Sequence, residues 1–166
     1  GHTGKVWDLA SEGDYVVTAG NDQSIKLWNL KDVRENKERA YPMLSLFVSS
    51  QGEWIIWSKS GYYDASTLGD LHVGYHVNQA EDEAALFYTS DRFLKTLYQP
   101  DLIQAILAKG SEQEALKDTS LLVQNIDSIL PPQVQLLTTA QKTQKPETTL
   151  NFKVVAMSDP IQRIWI

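Results

Sequence analysis

The residues most able to do chemistry lie between Ser49 and Asp70, in SSQGEWIIWSKSGYYDASTLGD. Trp54, Trp57, Tyr62 and Tyr63 are followed at once by Asp64 and Asp70. Aromatic rings beside paired carboxylates suit a sugar-binding cleft, with one carboxylate as acid and the other as base. The same residues suit a buried hairpin. Trp54 and Ile56 would fall on one face of a strand, Ile55 and Trp57 on the other. Both faces are then apolar, as in a strand covered on both sides. This alternation predicts that the aromatics are core and that Asp64 is a turn residue.

His72 and His76 suggest a metal site, because an i, i+4 pair shares one face of a helix. Their neighbours Val73, Gly74, Tyr75 and Val77 favour a strand instead. Four residues along a strand span about 13 Å, too far for one ion to bridge both rings. From Gly61 to Asp91 there are six Asp or Glu and no Lys or Arg, but the acids lack EF-hand spacing. No metal or cofactor is therefore expected. His2, Thr18 and Asp22 contain the residue types of a hydroxyl–imidazole–carboxylate relay, but residue types without geometry do not make a catalytic site. GHTGK is not a phosphate loop, since two residues rather than four separate its glycines and Val6 follows Lys5.

These residues need elements to hold them. The 166 residues carry a net charge of −6, which argues against a nucleic-acid platform. With no cysteine, the chain has no disulfide and no thiolate nucleophile. No apolar run reaches membrane-spanning length and no signal peptide opens the chain, so no membrane contact is expected. The compartment is left open, with the cytoplasm favoured. Gly1 starts on a turn and Ile166 ends inside an apolar run, so the sequence reads as an excerpt of a longer protein.

Short strands are predicted at Val6–Leu9, Tyr15–Ala19 and Ile25–Asn29, separated by EGD and GND turns. A polar surface loop follows over Lys31–Pro42. Leu44–Val48, EWIIWS and YYDAS form two further hairpins. Ser90 reads as the N-cap of a helix carrying Phe93, Leu94 and Leu97. Pro100 and Gly110 bracket a second helix with Leu102, Ile103, Ile106 and Leu107 on one face. Ser111 and Glu114 form a capping-box pair for a third. After Pro131 and Pro132, alternation at Val134 and Leu136 begins a set of three strands, continued by LNFKVVAM and PIQRIWI, with KTQKPET as a loop.

The first thirty residues, from Gly1-His2 to Trp28-Asn29, resemble a WD40 repeat, which forms one propeller blade. The resemblance implies a structural tetrad of His2, Thr18, Asp22 and Trp28. In it the indole N–H meets the hydroxyl, the hydroxyl the imidazole, and the imidazole the turn carboxylate. One blade cannot stand alone, so further blades are expected upstream. Beyond the blade, GEWIIWSKSGYYDASTLGDLHVGYHVN, FYTSDRFLKTLYQPDLI and LPPQVQLL resemble the connecting region of bacterial WD40-repeat proteins with a caspase-like peptidase domain. Tyr75 stands where that pattern carries Trp.

The resemblance implies a mainly β chain in three parts. Residues 1–66 would be C-terminal blade or blades, with a second, divergent blade from Leu44. Residues 67–130 would be a connector with short amphipathic helices, and residues 131–166 the start of an Ig-like sandwich. It implies a non-catalytic scaffold that binds other proteins through the propeller and regulates a caspase-like cysteine peptidase domain after Ile166. The alternatives are a plain scaffold with no attached enzyme, or a ligand-binding or hydrolase site around Trp54, Trp57, Asp64 and Asp70.

Overall fold

The computed structural model describes residues 1–35, 40–78, 84–122, 126–137, 149 and 151–158. The chain is mainly β and divides into two compact units, Gly1–Val123 and Gln124–Ile166.

In the first unit, six strands form one antiparallel sheet in sequence order: β1 (Val6–Glu12), β2 (Tyr15–Gly20), β3 (Ser24–Asn29), β4 (Leu44–Val48), β5 (Trp54–Ser58) and β6 (Tyr63–Ala65). The expected second blade from Leu44 is not separate. β4 pairs directly with β3, Leu27 opposite Leu44 and Lys26 opposite Ser45. Residues directly opposite share a face, so the register defines two sides. One carries the row Leu9, Thr18, Lys26, Ser45, Trp57 and Tyr63. The other carries Asp8, Ala19, Ile25, Leu46, Ile56 and Asp64.

The segment Lys31–Pro42, expected as a loop, begins with a helix, α1 (Leu30–Glu35). Asn29 caps it, its Oδ1 accepting from Lys31 N–H at 3.0 Å. The run lacks apolar periodicity, so only the cap marks it.

β7 (Gly74–Val77) and β8 (Leu86–Thr89) form a separate hairpin. Ser90 is not a helix cap. It lies inside a 3-10 turn, Ser90–Phe93, where its hydroxyl donates to Val73 O at 2.9 Å. α2 (Leu94–Leu97) and α3 (Pro100–Lys109) follow, then α4 (Glu112–Leu116). Pro100 opens α3, and Gly110 closes it in the left-handed conformation, φ 74°. Leu102, Ile103 and Ile106 are buried, whereas Leu107 is exposed. Ser111 precedes α4 without a side-chain capping bond, and the Glu114 carboxylate accepts from Lys117 Nζ at 2.5 Å.

The helices are fixed to the side of the sheet that carries Leu44 and Ser58. The Asn29 amide donates to Gly110 O at 2.7 Å, and Ser58 Oγ donates to Glu112 Oε1 at 2.5 Å. Tyr62 Oη donates to Leu122 O, and Gln99 N–H to Tyr63 O at 2.8 Å. Leu44, Ile55, Tyr62, Tyr63, Leu97, Leu102 and Ile106 are the largest buried apolar side chains. The expected blade and connector segments thus pack as one unit.

In the second unit, β9 (Gln133–Leu136) and β10 (Phe152–Val155) pair antiparallel, with Val134 opposite Val154. Leu130 N–H donates to Ser158 Oγ at 2.8 Å. The strand expected at PIQRIWI and the loop KTQKPET lie outside the described residues, as do the acids at 81–83. Among the described residues no barrel closes, and no helix is long and apolar enough to cross a membrane.

A Cβ on Gly110 would meet Tyr15 Oη at 2.6 Å and Asn29 Nδ2 at 2.8 Å, whereas one on Gly13 (φ 58°) would meet nothing within 4 Å. Gly13→Ala should therefore cost about 1 kcal/mol for backbone strain alone. Gly110→Ala should cost about 3 kcal/mol, because strain and overpacking add. Urea unfolding of the intact chain measures both. Equal costs would mean that the α3–α4 corner does not rest on the sheet.

Candidate functional site

The four residues expected as a tetrad come from separate elements and meet on one side of the sheet. His2 precedes β1, Thr18 is central in β2, Asp22 lies in the β2–β3 turn and Trp28 is in β3. Thr18 and Trp28 share a face because Val16, two residues from Thr18, pairs with Trp28. Trp28 Nε1–H donates to Thr18 Oγ1 at 2.8 Å. Thr18 Oγ1 lies 2.7 Å from His2 Nε2, and His2 Nδ1 lies 2.8 Å from Asp22 Oδ1. An indole only donates and a carboxylate only accepts. With a neutral imidazole this fixes the direction of the chain. Thr18 donates its hydroxyl proton to Nε2, and Nδ1–H donates to Asp22.

Three residues outside that expectation complete the arrangement. Ser24 Oγ donates to Asp22 Oδ1 at 2.7 Å and its N–H to the same oxygen at 3.2 Å. Gly20 gives the imidazole room, since a Cβ there would lie 2.4 Å from His2 Nδ1. The signal for Ser24 was its place two residues after a turn Asp, where its N–H closes an Asx turn. Thr3 N–H donates to Asp22 Oδ2 at 3.0 Å. Burial pushes the Asp22 carboxyl up, but the bonds from His2, Ser24 and Thr3 outweigh it and hold it well below the usual carboxylate range. The His2 side chain is 3% exposed, and Thr18 is buried. Among the described residues no buried side-chain polar atom lacks a partner.

The aromatic stretch is spread over both faces. Trp57 pairs with Tyr63, while Trp54 pairs with Val48 and Ile56 with Asp64 on the opposite side. Asp64 is a strand residue, not a turn residue, and its Oδ1 accepts from Ala65 N–H at 2.8 Å. Asp70 sits in a 3-10 turn, Gly69–Leu71. Burial raises its carboxyl, and the neighbouring Asp91 raises it further. Tyr62 and Tyr63 are buried, and Tyr63 Oη donates to Ser90 O at 2.9 Å. Glu53 organises the turn: its Oε2 accepts from Ser66 Oγ at 2.5 Å and from Leu68 N–H at 3.0 Å. His72 packs on Phe47 with ring centroids 5.5 Å apart, and His76 on Phe87 at 5.1 Å. Among the described residues no three His, Asp or Glu side chains group to hold a metal ion.

Two clefts open near these residues. One, of about 400 Å³, lies beside Asp22, Ser24, Lys26, Phe47, Trp57, His72 and Phe87. The other, of about 330 Å³, lies between Tyr41, Trp57, Gly61 and Tyr75. Thr18, Asp64 and Asp70 line neither. The tetrad is thus arranged to satisfy buried polar groups and hold strand register. No family model, curated protein or solved structure matches the chain.

Thr18→Val removes both the acceptor for Trp28 and the donor to His2, and should cost about 2–4 kcal/mol in urea unfolding. Thr18→Ser keeps the hydroxyl and should cost only about 1 kcal/mol, the worth of the lost methyl. Similar losses for the two would show that the bond chain contributes nothing. Asp22 also sets a pH dependence. Its folded carboxyl is harder to protonate than the unfolded one, so the unfolded chain binds more protons as pH falls. The stability Asp22 contributes is intact above about pH 5 and drains away as pH falls through and below about 4. The urea midpoint of Asp22→Asn should fall less steeply over that range than that of the unmodified chain, and parallel curves would contradict this.

Proposed function

We propose that this chain is a non-catalytic protein-interaction segment: WD40 blade strands running through a helical connector into an Ig-like β module. It serves as a scaffold for other proteins and regulates a caspase-like cysteine peptidase domain of the same polypeptide. The observation that carries the scaffold reading is the bond chain Trp28–Thr18–His2–Asp22, which gives four polar side chains a structural role at the WD40 positions.

Partner binding is supported by the surface of the first strands. Every residue of β1 is exposed, and Val6, Trp7 and Leu9 are large and apolar. Val17 and Ile25 add exposed apolar area on the opposite side of the next two strands. Exposed apolar area is what an interaction surface offers. In a propeller this surface would meet neighbouring blades, with partner proteins on the assembled ring. The peptidase link rests on the resemblance of the connector, and any thiolate nucleophile must come from another domain because this chain has no cysteine. A plain scaffold without an enzyme is the alternative. A hydrolase centred on Asp64 and Asp70 is disfavoured, because Trp54 and Trp57 point to opposite sides of the sheet.

The test uses the full-length protein with and without residues 1–123, the whole first unit, because residues 1–66 share a core with the helices that follow. Removal should abolish partner co-precipitation and change the peptidase rate on a peptide substrate by about tenfold, the scale of a modest regulatory coupling. Unchanged binding together with an unchanged rate would remove the proposal. Lost binding with no measurable peptidase would favour the plain scaffold.

A further inference from the structure

We propose that the 400 Å³ cleft beside the tetrad is a binding site for a small aromatic monocarboxylate. Its volume falls within the range of small-molecule sites, roughly 300–1,000 Å³. Phe47 and Trp57 line it from β4 and β5. Phe87 of β8 lines it too, with Val73 and Gly74 at the start of the β7–β8 hairpin. Three aromatic rings around a space of this size suit a planar apolar body.

The polar end is set by Lys26. Its side chain is only 11% exposed, it lines the cleft, and its ammonium is held beside Asp22, another lining residue. The nearest carboxylate oxygen, Asp22 Oδ2, is 4.0 Å away, beyond hydrogen-bond length. Asp22 is already occupied by His2, Ser24 and Thr3. Lys26 therefore has donors to offer a ligand, and a carboxylate supplies a charge-assisted acceptor. The same ammonium makes an aromatic cage for a cationic ligand unfavourable. The adjacent Asp22 and the net charge of −6 disfavour a dianion such as phosphate. A monoanion with an aromatic body answers all of these features.

The experiment titrates 3-phenylpropionate, its neutral amide and inorganic phosphate into the intact 15N-labelled chain, with the Trp57 indole signal assigned by Trp57→Phe. The acid should give a saturable shift at Trp57 and near Phe87, binding about tenfold tighter than the amide, a difference of about 1.4 kcal/mol. Lys26→Met should erase that preference and Lys26→Arg should keep it. Absence of saturable shifts with the acid, equal affinity of acid and amide for the unmodified chain, or phosphate competing as well as the acid would each overturn the proposal. The acid–amide comparison needs no variant, so it decides the matter even if Lys26→Met fails to fold. A scaffold role for residues 1–66 is unaffected by either result.

Discussion

Everything in the first unit follows from the two faces of β4 and β5. Leu44, Leu46, Phe47, Ile55, Ile56 and Trp57 distribute apolar area to both sides. A strand of this kind cannot lie on a sheet with one wet face. One side takes the β7–β8 hairpin and the turns around it, where His72 meets Phe47 and Tyr63 reaches Ser90. The other takes the α3–α4 corner, through Ser58 and Asn29. The cover runs out toward β1, where Val6, Trp7 and Leu9 stand exposed. The same sheet therefore has a closed end and an open end.

Two kinds of polar bond hold this arrangement, and they differ in reach. The tetrad is local to β1–β3 and keeps the strands in register. Asn29 works at longer range, because its two amide atoms serve different elements. Its oxygen starts α1 and its nitrogen holds the carbonyl at the end of α3. An aspartate at this position could supply the first bond but would set a negative oxygen against Gly110 O. Asparagine is thus the residue that lets one strand end serve both.

Much of this was legible in the sequence where residue type and spacing coincide. His2, Thr18, Asp22 and Trp28 were readable because residue types and offsets from Gly1 to Asn29 resemble a WD40 repeat, and that resemblance implies their bond chain. Pro100 and Gly110 marked α3, as each suits only one end of a helix. α1 was not legible, since Leu30–Glu35 has no apolar period and depends on a cap that looked like part of a motif. The Ser90 cap failed because a hydroxyl has several possible partners, and tertiary contact with Val73 chose another. The union of the six-stranded sheet with the later helices was hidden too, since the bonds that make it join residues far apart in the chain. Lys26 carried no signal at all. Its importance comes from neighbours that a later hairpin brings to it.

The sheet and its helical cover also differ in when they can form. Each strand of the sheet pairs only with the strand next to it in sequence. The bonds that fasten the cover span 81 residues for Asn29 and Gly110 and 54 for Ser58 and Glu112. A ribosome adding roughly 5–20 residues per second takes roughly 3–10 s to go from Ser58 to Glu112. For those seconds a largely complete sheet has an uncovered greasy side. Until Glu112 is made, that side can be shielded only by contacts within the unfinished chain or with other molecules, which is the state in which a folding chain is most prone to associate.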